Sequence, residues 1–522
     1  MRAALLTLFV LAPAFSQSLD LIVTGAKVID GSGDPWFYAD VGVKGDTIVA
    51  LGDLHAASAA RRIDGQGLVV APGFIDIHTH SRRGIFAHPA AENYIRQGVT
   101  TLMEGPDGSS PLPIKPFLDR VAAAHPAPNF GTFAGQGSIR QAVMGLVNRP
   151  ATAEELEKMR QITRQAMLDG AFGVTTGLFY VPGNFTPTEE VIAVEKVAGE
   201  MGGMHHSHMR DEAAGILDSV RETIRIGEEG HMPTQITHHK IIGKANWGKS
   251  VETLKLVDEA RARGVDVTID QYPYTASSTG TASLIPQNYQ EGGQKALIER
   301  LDTVDTRARI KIAIVERIKF DRGGGDPANV VMASCAWNHA LDGKNLAQIT
   351  KDRGREVTFE NAAETAMEIQ HSGGCSAVFH AISEEDVQRI MKYPFTMVAS
   401  DGEIPTFGQG APHPRSYGTN VRVLGRYVRE LHVITLEDAV HKMSGLPAQR
   451  LKLYDRGLIR PGMKADLAIF DPATVADTAT FEKPHSYAVG VKYVVVNGKI
   501  VIDDGKLTNE RPGRILYGPA KQ

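Results

Sequence analysis

The fold is decided by one ten-residue stretch, Ala71-Pro72-Gly73-Phe74-Ile75-Asp76-Ile77-His78-Thr79-His80. Side chains two positions apart in a strand point to the same face. We therefore expect His78 and His80 to converge at the end of a short apolar strand, as a chelating pair at the mouth of a sheet. A bare His-x-His pattern is short, and two unrelated surface histidines would explain it equally well.

Composition limits the kind of partner that this chain can have. The chain has 522 residues, of which 42% are hydrophobic and 22% charged, which is typical of globular proteins. The formal net charge is −4 and the sequence has no sustained basic cluster, so a nucleic-acid partner is not expected. No stretch after the N-terminus is long and apolar enough to span a membrane. We expect a small-molecule partner in a pocket, and the sequence leaves the oligomeric state open.

The N-terminus has the pattern of a cleavable secretory signal. Met1-Arg2 is a short positive start, an apolar run follows, and Ala14-Phe15-Ser16 is a small-x-small cleavage site. The pattern predicts a signal peptide over residues 1–16 and export to a periplasm or beyond; a buried N-terminal strand or helix is the alternative. Cys335 and Cys375 could pair in such a compartment, although two buried free thiols are equally compatible with the sequence.

Strand-like segments with turn clusters occur at both ends of the chain, over residues 19–70 and 462–522. Both segments are small, so we expect them to combine into one β-sandwich side domain. That pairing is inferred from composition alone.

Between them, residues 71–461 alternate short apolar strands with helical stretches. The alternation predicts an α/β fold, a closed (β/α)₈ TIM barrel. Residues 286–351 fit the alternation poorly and predict an insertion. After the opening strand, the strand candidates are Thr100–Met103, Phe130–Phe133, Gly173–Gly177, Met204–His208, Thr234–His238, Val265–Asp270, Val378–His380 and Thr396–Ser400.

Polar residues follow several of these strands, where active sites of such barrels lie. They are His78 and His80 after the first strand, Glu104 and Asp107 after the second, His208 and His238 at the fifth and sixth, and Asp401 after the last strand, Thr396–Ser400. Any one of these residues could have a structural role, but so many histidines and carboxylates at one rim are not expected by chance. Imidazole and carboxylate together suit zinc or a similar divalent ion, so metal-assisted hydrolysis is the expected chemistry.

Roles can be assigned on chemical grounds to Asp401 and to three further positions. Asp401 is the candidate general base. Lys240 and Arg415 are cations near the same rim and could hold a substrate carboxylate, Arg415 in bidentate geometry. Tyr274 could donate a hydrogen bond to substrate. An ordinary salt bridge for Arg415 and simple packing for Tyr274 remain equally open.

With these residues assembled, the chain resembles the D-aminoacylase (N-acyl-D-amino-acid deacylase) family of the amidohydrolase superfamily. The resemblance covers nearly the whole chain after the signal. Its more specific motifs are His208-Met209-Arg210-Asp211-Glu212 and Thr237-His238-His239-Lys240; Gly98-Val99-Thr100-Thr101, Ser400-Asp401-Gly402, His413-Pro414-Arg415 and Pro461-Gly462-Met463-Lys464-Ala465-Asp466 also match.

The resemblance implies a barrel beside a β-sandwich built from both termini. It implies that His208 and His238 bind a tightly held zinc, and that His78 and His80 serve a second, often weaker site. Asp401 would be the base, and Lys240, Tyr274 and Arg415 would handle the substrate carboxylate.

One turn departs from the family pattern. D-aminoacylases commonly place a zinc-ligating cysteine in a Gly-x-Cys-Gly turn after the second strand, whereas this chain has Gly105-Pro106-Asp107-Gly108. Oxygen in place of sulfur makes the site harder and more open to other divalent ions. Asp107 is the favoured replacement ligand, and Glu104 is the second candidate.

The implied activity is hydrolysis of N-acyl-D-amino acids to a carboxylate and a free D-amino acid. An exported dipeptidase, or another amidohydrolase acting on D-containing or lactam compounds, would share every metal residue. A non-catalytic binding protein on a decayed barrel is the remote alternative, against which the intact Asp401 and the four histidines argue.

Overall fold

The computed structural model describes residues 18–521. The signal peptide expected over residues 1–16 lies outside the described part. In chain order the strands are β1 (Leu19–Val28), β2 (Phe37–Lys44), β3 (Thr47–Gly52), β4 (Ala59–Asp64), β5 (Val69–Pro72), β6 (Phe74–Asp76), β7 (Val99–Glu104), β8 (Asn129–Thr132), β9 (Ala134–Gly135), β10 (Gly173–Gly177), β11 (Met204–His208), β12 (Thr234–Ile236), β13 (Val267–Gln271), β14 (Ser277–Gly280), β15 (Val330–Ser334), β16 (Ser376–Phe379), β17 (Thr396–Val398), β18 (Leu467–Phe470), β19 (Val491–Val496), β20 (Lys499–Asp503) and β21 (Lys506–Leu507).

The helices are distributed between these strands. They are α1 (Glu92–Ile95), α2 (Ile114–Ala123), α3 (Gln136–Met144), α4 (Ala153–Asp169), α5 (Thr188–Glu200), α6 (Ile216–Gly230), α7 (Ser250–Ala262), α8 (Gly293–Asp302), α9 (Val304–Phe320), α10 (Leu346–Asp352), α11 (Phe359–His371), α12 (Glu384–Lys392), α13 (Arg415–Arg422), α14 (Leu436–Met443) and α15 (Gly445–Arg450), with a π-helical turn over Val423–Glu430. None of the helices within residues 18–521 is long and apolar enough to cross a membrane.

Parallel strands form the barrel. β6, β7 and β8 pair side by side, and β9 continues the third strand and pairs with β10; β11, β12, β13 and β17 follow in order. The circle closes where the loops after β17 and β6 meet, because the Asp401 N–H donates to the His78 carbonyl (2.9 Å) and the His80 N–H donates to the Gly402 carbonyl (2.7 Å). The predicted (β/α)₈ barrel is confirmed.

One predicted barrel strand is wrong. The run Val378–His380 lies mostly in β16, which pairs antiparallel with β14 and β15 in a separate three-stranded sheet. Its apolar pattern matched that of a barrel strand, because a short buried run shows no periodicity that would identify its partners.

This small sheet and helices α8 to α11 form an insertion with its own core. The core includes Ile314, Met332, Ile369 and Phe379. The insertion begins with β14 and ends with β16, so the predicted bounds of 286–351 cover only the central part of the insertion. Cys335 and Cys375 form a disulfide within it, across a separation of 40 residues.

Both ends of the chain contribute to a separate nine-stranded sheet, in which β18 pairs antiparallel with β5. Val23 and Val70 from the N-terminal segment share an apolar core with Leu467 and Val495 from the C-terminal segment. Gly73 alone separates β5 of this sheet from β6 of the barrel. A Cβ there would lie 2.2 Å from Thr100 Oγ1, so glycine is required where the chain passes from one layer to the other.

Candidate metal centre

Five strands deliver the expected site residues to one rim. His78 and His80 follow β6, Asp107 follows β7, His208 ends β11, His238 follows β12 and Asp401 follows β17. Asp107, His238 and Asp401 have left-handed backbones, with φ of 54°, 34° and 52°. Such conformations are uncommon outside glycine and tend to mark functional sites.

Asp107, His208 and His238 form one compact donor group. His208 Nδ1 lies 2.6 Å from His238 Nε2. Asp107 Oδ1 lies 3.5 Å from the first nitrogen and 3.3 Å from the second. Two imidazoles and one carboxylate oxygen therefore converge on one point.

The same carboxylate belongs to a second group, with His78, His80 and Asp401. His80 Nε2 lies 3.2 Å from Asp107 Oδ2 and 3.0 Å from Asp401 Oδ1. His78 Nε2 lies 3.4 Å from Asp107 Oδ1 and 3.5 Å from Asp401 Oδ1. Asp107 is therefore placed to bridge two adjacent cation sites.

The donor atoms fit a divalent cation. His78 Nε2, Asp107 Oδ1 and Asp401 Oδ1 are buried, yet they have no hydrogen-bond partner among residues 18–521. Buried polar atoms without partners are unfavourable, so a ligand is expected to satisfy them. Mixed imidazole and carboxylate donors are those that zinc accepts.

The electrostatics favour the ligating forms of two donors, His208 and Asp107. For His78, His80 and His238, burial lowers the pKa of the imidazole, but the neighbouring carboxylates outweigh burial and raise it. Burial lowers the pKa of His208 to about 4, which leaves its imidazole neutral and able to ligate near neutral pH. Burial raises the pKa of the Asp107 carboxyl, but the charge of His78 and contacts with His208 and His238 outweigh it and hold that pKa well below its usual range. Asp107 is therefore an anionic donor.

Glu104, the other carboxylate considered as a ligand, lies outside the donor groups. Its Oε2 accepts hydrogen bonds from the Arg82 backbone N–H at 2.8 Å and from Ser81 Oγ at 3.2 Å. Glu104 is the last residue of β7 and points to the loop after β6. The geometry favours Asp107 as the ligand.

The centre opens into a cavity of about 1010 Å³, whose wall includes Lys240 and Arg415. Arg415 Nη1 lies 2.8 Å from Asp401 Oδ2. The buried Lys240 ammonium contacts Glu212 and donates a hydrogen bond to the His238 carbonyl at 3.0 Å. Both cations thus lie at the rim, although each already has a carboxylate neighbour.

Tyr274 is not in the cavity wall, contrary to expectation. Its hydroxyl is 3.5 Å from the Pro414 carbonyl, and its ring packs against His413 and Phe481. Tyr272 lines the cavity instead, with its ring 4.8 Å from the Arg415 guanidinium. Tyr272 directly follows β13, and that position is the signal that distinguishes it from Tyr274.

Sequence reasoning missed three buried residues around the centre. Asp270 Oδ1 accepts a hydrogen bond from the His238 N–H at 2.7 Å and lies 3.9 Å from His78 Nδ1. Glu212 contacts Lys240, and Arg322, from the insertion, lies 3.5 Å from Glu212. Glu212 lies within the quoted His208–Glu212 motif, whereas nothing in the sequence pointed to Arg322.

Comparison with known proteins supports the same interpretation. Models of the amidohydrolase family match residues 69–285 and 362–502. The chain is 38% identical to the D-aminoacylase of Alcaligenes xylosoxydans xylosoxydans, over 96% of this chain and 98% of that protein. This chain belongs to the amidohydrolase family, among the D-aminoacylases.

Solved structures of family members align over nearly the whole chain. A D-aminoacylase with a binuclear metal centre, described as activated by one metal and attenuated by the second, matches with a TM-score of 0.82 and 38% identity, over 96% of this chain and 100% of that one. The N-acyl-D-glutamate deacylase of Bordetella bronchiseptica, in complex with zinc and a phosphonate that mimics the tetrahedral intermediate, matches with a TM-score of 0.81 and 33% identity, over 96% and 100%.

Substitution separates the two candidate carboxylates. Asp107→Ala is expected to weaken zinc binding by at least about tenfold, because an anionic donor shared by both groups is lost. Glu104→Gln keeps an acceptor for the Arg82 N–H and is expected to bind zinc as the natural protein does. Competition with a chromogenic chelator measures both affinities; the opposite ranking would make Glu104 the ligand.

Proposed function

We propose that this chain hydrolyses the amide bond of N-acyl-D-amino acids and releases a carboxylate and a free D-amino acid. The observation that carries the proposal is the pair of donor groups sharing Asp107 and facing the same cavity as Lys240 and Arg415. The relatives named D-aminoacylase and N-acyl-D-glutamate deacylase support it.

Asp107, His208 and His238 would hold zinc, and His78, His80 and Asp401 surround the second position. When bound, a divalent cation supplies a Lewis acid that activates water and polarises the amide carbonyl. The oxygen of Asp107 in place of a thiolate makes other divalent ions acceptable as well.

Asp401 is the group proposed to move the proton, and it is ionised in the structure. Burial raises the pKa of its carboxyl, but the charges of Arg415 and His78 outweigh burial and hold that pKa well below its usual range. The ionised carboxylate accepts a proton from water as the new carbon–oxygen bond forms. It then gives that proton to the amine nitrogen as the carbon–nitrogen bond breaks.

The substrate carboxylate is assigned to the cations of the rim. Lys240 and Arg415 both lie over the Tyr272 ring, at 5.7 Å and 4.8 Å from its centroid. The Tyr272 hydroxyl is buried and has no hydrogen-bond partner in the described part of the chain. A carboxylate placed here could accept from the phenol and interact with both cations.

The assay that tests the proposal is turnover of N-acetyl-D- and N-acetyl-L-amino acids by zinc-loaded protein. D substrates are expected to be cleaved, and Asp401→Asn is expected to lower kcat by about 10²- to 10⁴-fold, because the proton acceptor is lost. Zinc at the Asp107 group should remain in that variant.

Inactivity of zinc-loaded protein toward every D substrate would reject the proposal. Faster turnover of D-containing dipeptides or lactams than of acetyl substrates would instead identify the related hydrolase. Full activity of Asp401→Asn would show that another group is the base.

A matched pair of tyrosine variants tests the assignment of the substrate carboxylate. Tyr272→Phe removes the unpartnered, buried hydroxyl of a cavity-lining residue and is expected to raise KM by about tenfold, the usual effect of losing a hydrogen bond to a charged group. Tyr274→Phe removes a hydroxyl that faces Pro414 and is expected to leave KM unchanged. Steady-state kinetics with one D substrate compare them, and a larger effect at Tyr274 would refute the assignment.

We also propose that the protein is exported. The signal pattern of residues 1–16 and the disulfide between Cys335 and Cys375 support this, because disulfides persist mainly in oxidising compartments. Mass spectrometry of the natively produced protein should find an N-terminus at Gln17 and no free thiol. An intact Met1 together with two free thiols would contradict export.

A further inference from the structure

Glu212 lines the cavity but belongs to neither of the two donor groups. It follows His208 by four residues, only 2% of its surface is exposed, and four charged or titratable side chains surround its carboxylate. They are His208, His238, Lys240 and Arg322.

The carboxylate faces the outer nitrogens of both histidines. His238 directs Nε2 to Asp107 and Nδ1 to Glu212 Oε1, at 3.2 Å. His208 directs Nδ1 to Asp107 and Nε2 toward Glu212 Oε2, at 3.8 Å. One carboxylate therefore faces both rings through the nitrogens that do not face Asp107.

The tautomer of His238 depends on this arrangement. Its Nδ1 has two polar neighbours, the Lys240 ammonium at 2.8 Å, which only donates, and Glu212 Oε1 at 3.2 Å, which accepts when ionised. If Nδ1–H donates to Glu212, the lone pair of Nε2 is free for a metal. If Nδ1 accepts from Lys240, Nε2 carries the proton of the neutral ring and cannot ligate.

An ion pair with Lys240 fixes the position of the Glu212 carboxylate. The Lys240 ammonium contacts Glu212 Oε1, the same oxygen that lies 3.2 Å from His238 Nδ1. On the other oxygen, the Arg322 guanidinium lies 3.5 Å away and packs over the Phe179 ring at 4.2 Å. Glu212 is thus held between the barrel and the insertion.

We propose that Glu212 is a positioning residue that sets the ligating tautomer of His238, orients His208, and fixes Lys240 toward the substrate. Carboxylates behind metal-binding histidines typically orient the ring and raise its basicity. The part that concerns Lys240 rests on the proposed function; the part that concerns the histidines does not.

The protein contains a matched control for a buried ion pair. Glu190 and Arg140 are both buried, with Arg140 Nε 3.0 Å from Glu190 Oε1, and neither residue lines the cavity. Glu190→Gln therefore tests the loss of a buried carboxylate that has no contact with the metal centre.

The decisive measurement is zinc affinity by chelator competition, without substrate. Glu212→Gln is expected to weaken zinc binding by about 10- to 100-fold, whereas Glu190→Gln leaves it unchanged. Circular dichroism checks that both variants fold. If Glu212→Gln does not fold, Glu212→Asp replaces it in the measurement. This variant keeps the negative charge but places it farther from the histidines, so its loss of zinc affinity should be smaller than that expected for Glu212→Gln. Natural zinc affinity in the folded Glu212 variant overturns the proposal.

Kinetics provide the second readout. In folded, zinc-saturated Glu212→Gln, KM for a D substrate should rise by about tenfold, since Lys240 loses its anchor. An unchanged KM would overturn the role toward Lys240. If the natural protein cleaves no N-acyl-D-amino acid while Glu212→Gln still weakens zinc binding, that result would reject the proposed function but keep the role of Glu212 toward the histidines.

Discussion

Closure of the barrel between its first and last strands is the constraint on which the site depends. Two backbone hydrogen bonds, from Asp401 to His78 and from His80 to Gly402, join the loops after β6 and β17. They place the first histidine pair beside the carboxylate proposed as the base. The remaining ligands come from strands within the closed circle, so the site forms only when residues far apart in sequence are brought onto one rim.

The turn at Asp107 has to satisfy a backbone requirement and a chemical one together. Its φ of 54° is left-handed, and aspartate is among the few non-glycine residues that adopt such angles readily. Gly108 follows with φ of 72°, and a Cβ there would lie 2.6 Å from the Gly177 nitrogen. The tight turn aims both carboxylate oxygens inward, which explains how one residue can serve two donor groups.

Sequence periodicity predicted the barrel and most rim residues, because parallel strands deliver whatever follows them to one edge. It failed where the direction of a side chain depends on the tertiary structure. Glu104 and Asp107 are three residues apart yet face different partners, and Tyr272 rather than Tyr274 lines the cavity. Arg322 could not be found, since it enters from an insertion whose docking on the barrel leaves no local pattern. Val378–His380 misled for the related reason that strand pairing is not local.

The sheet shared by the two chain ends has a consequence for the order of folding. Strand β5, fully buried in the finished protein, pairs with β18, which is synthesised roughly 400 residues later. Until β18 is synthesised, the edge of β5 that pairs with it has no hydrogen-bonding partner, and the nine-stranded sheet stays incomplete. Contacts of such long range form slowly and leave strand edges open to association with other chains. Strand β18 therefore joins the nine-stranded sheet late in synthesis. A chain truncated before β18 would expose the edge of β5 that is paired in the native fold.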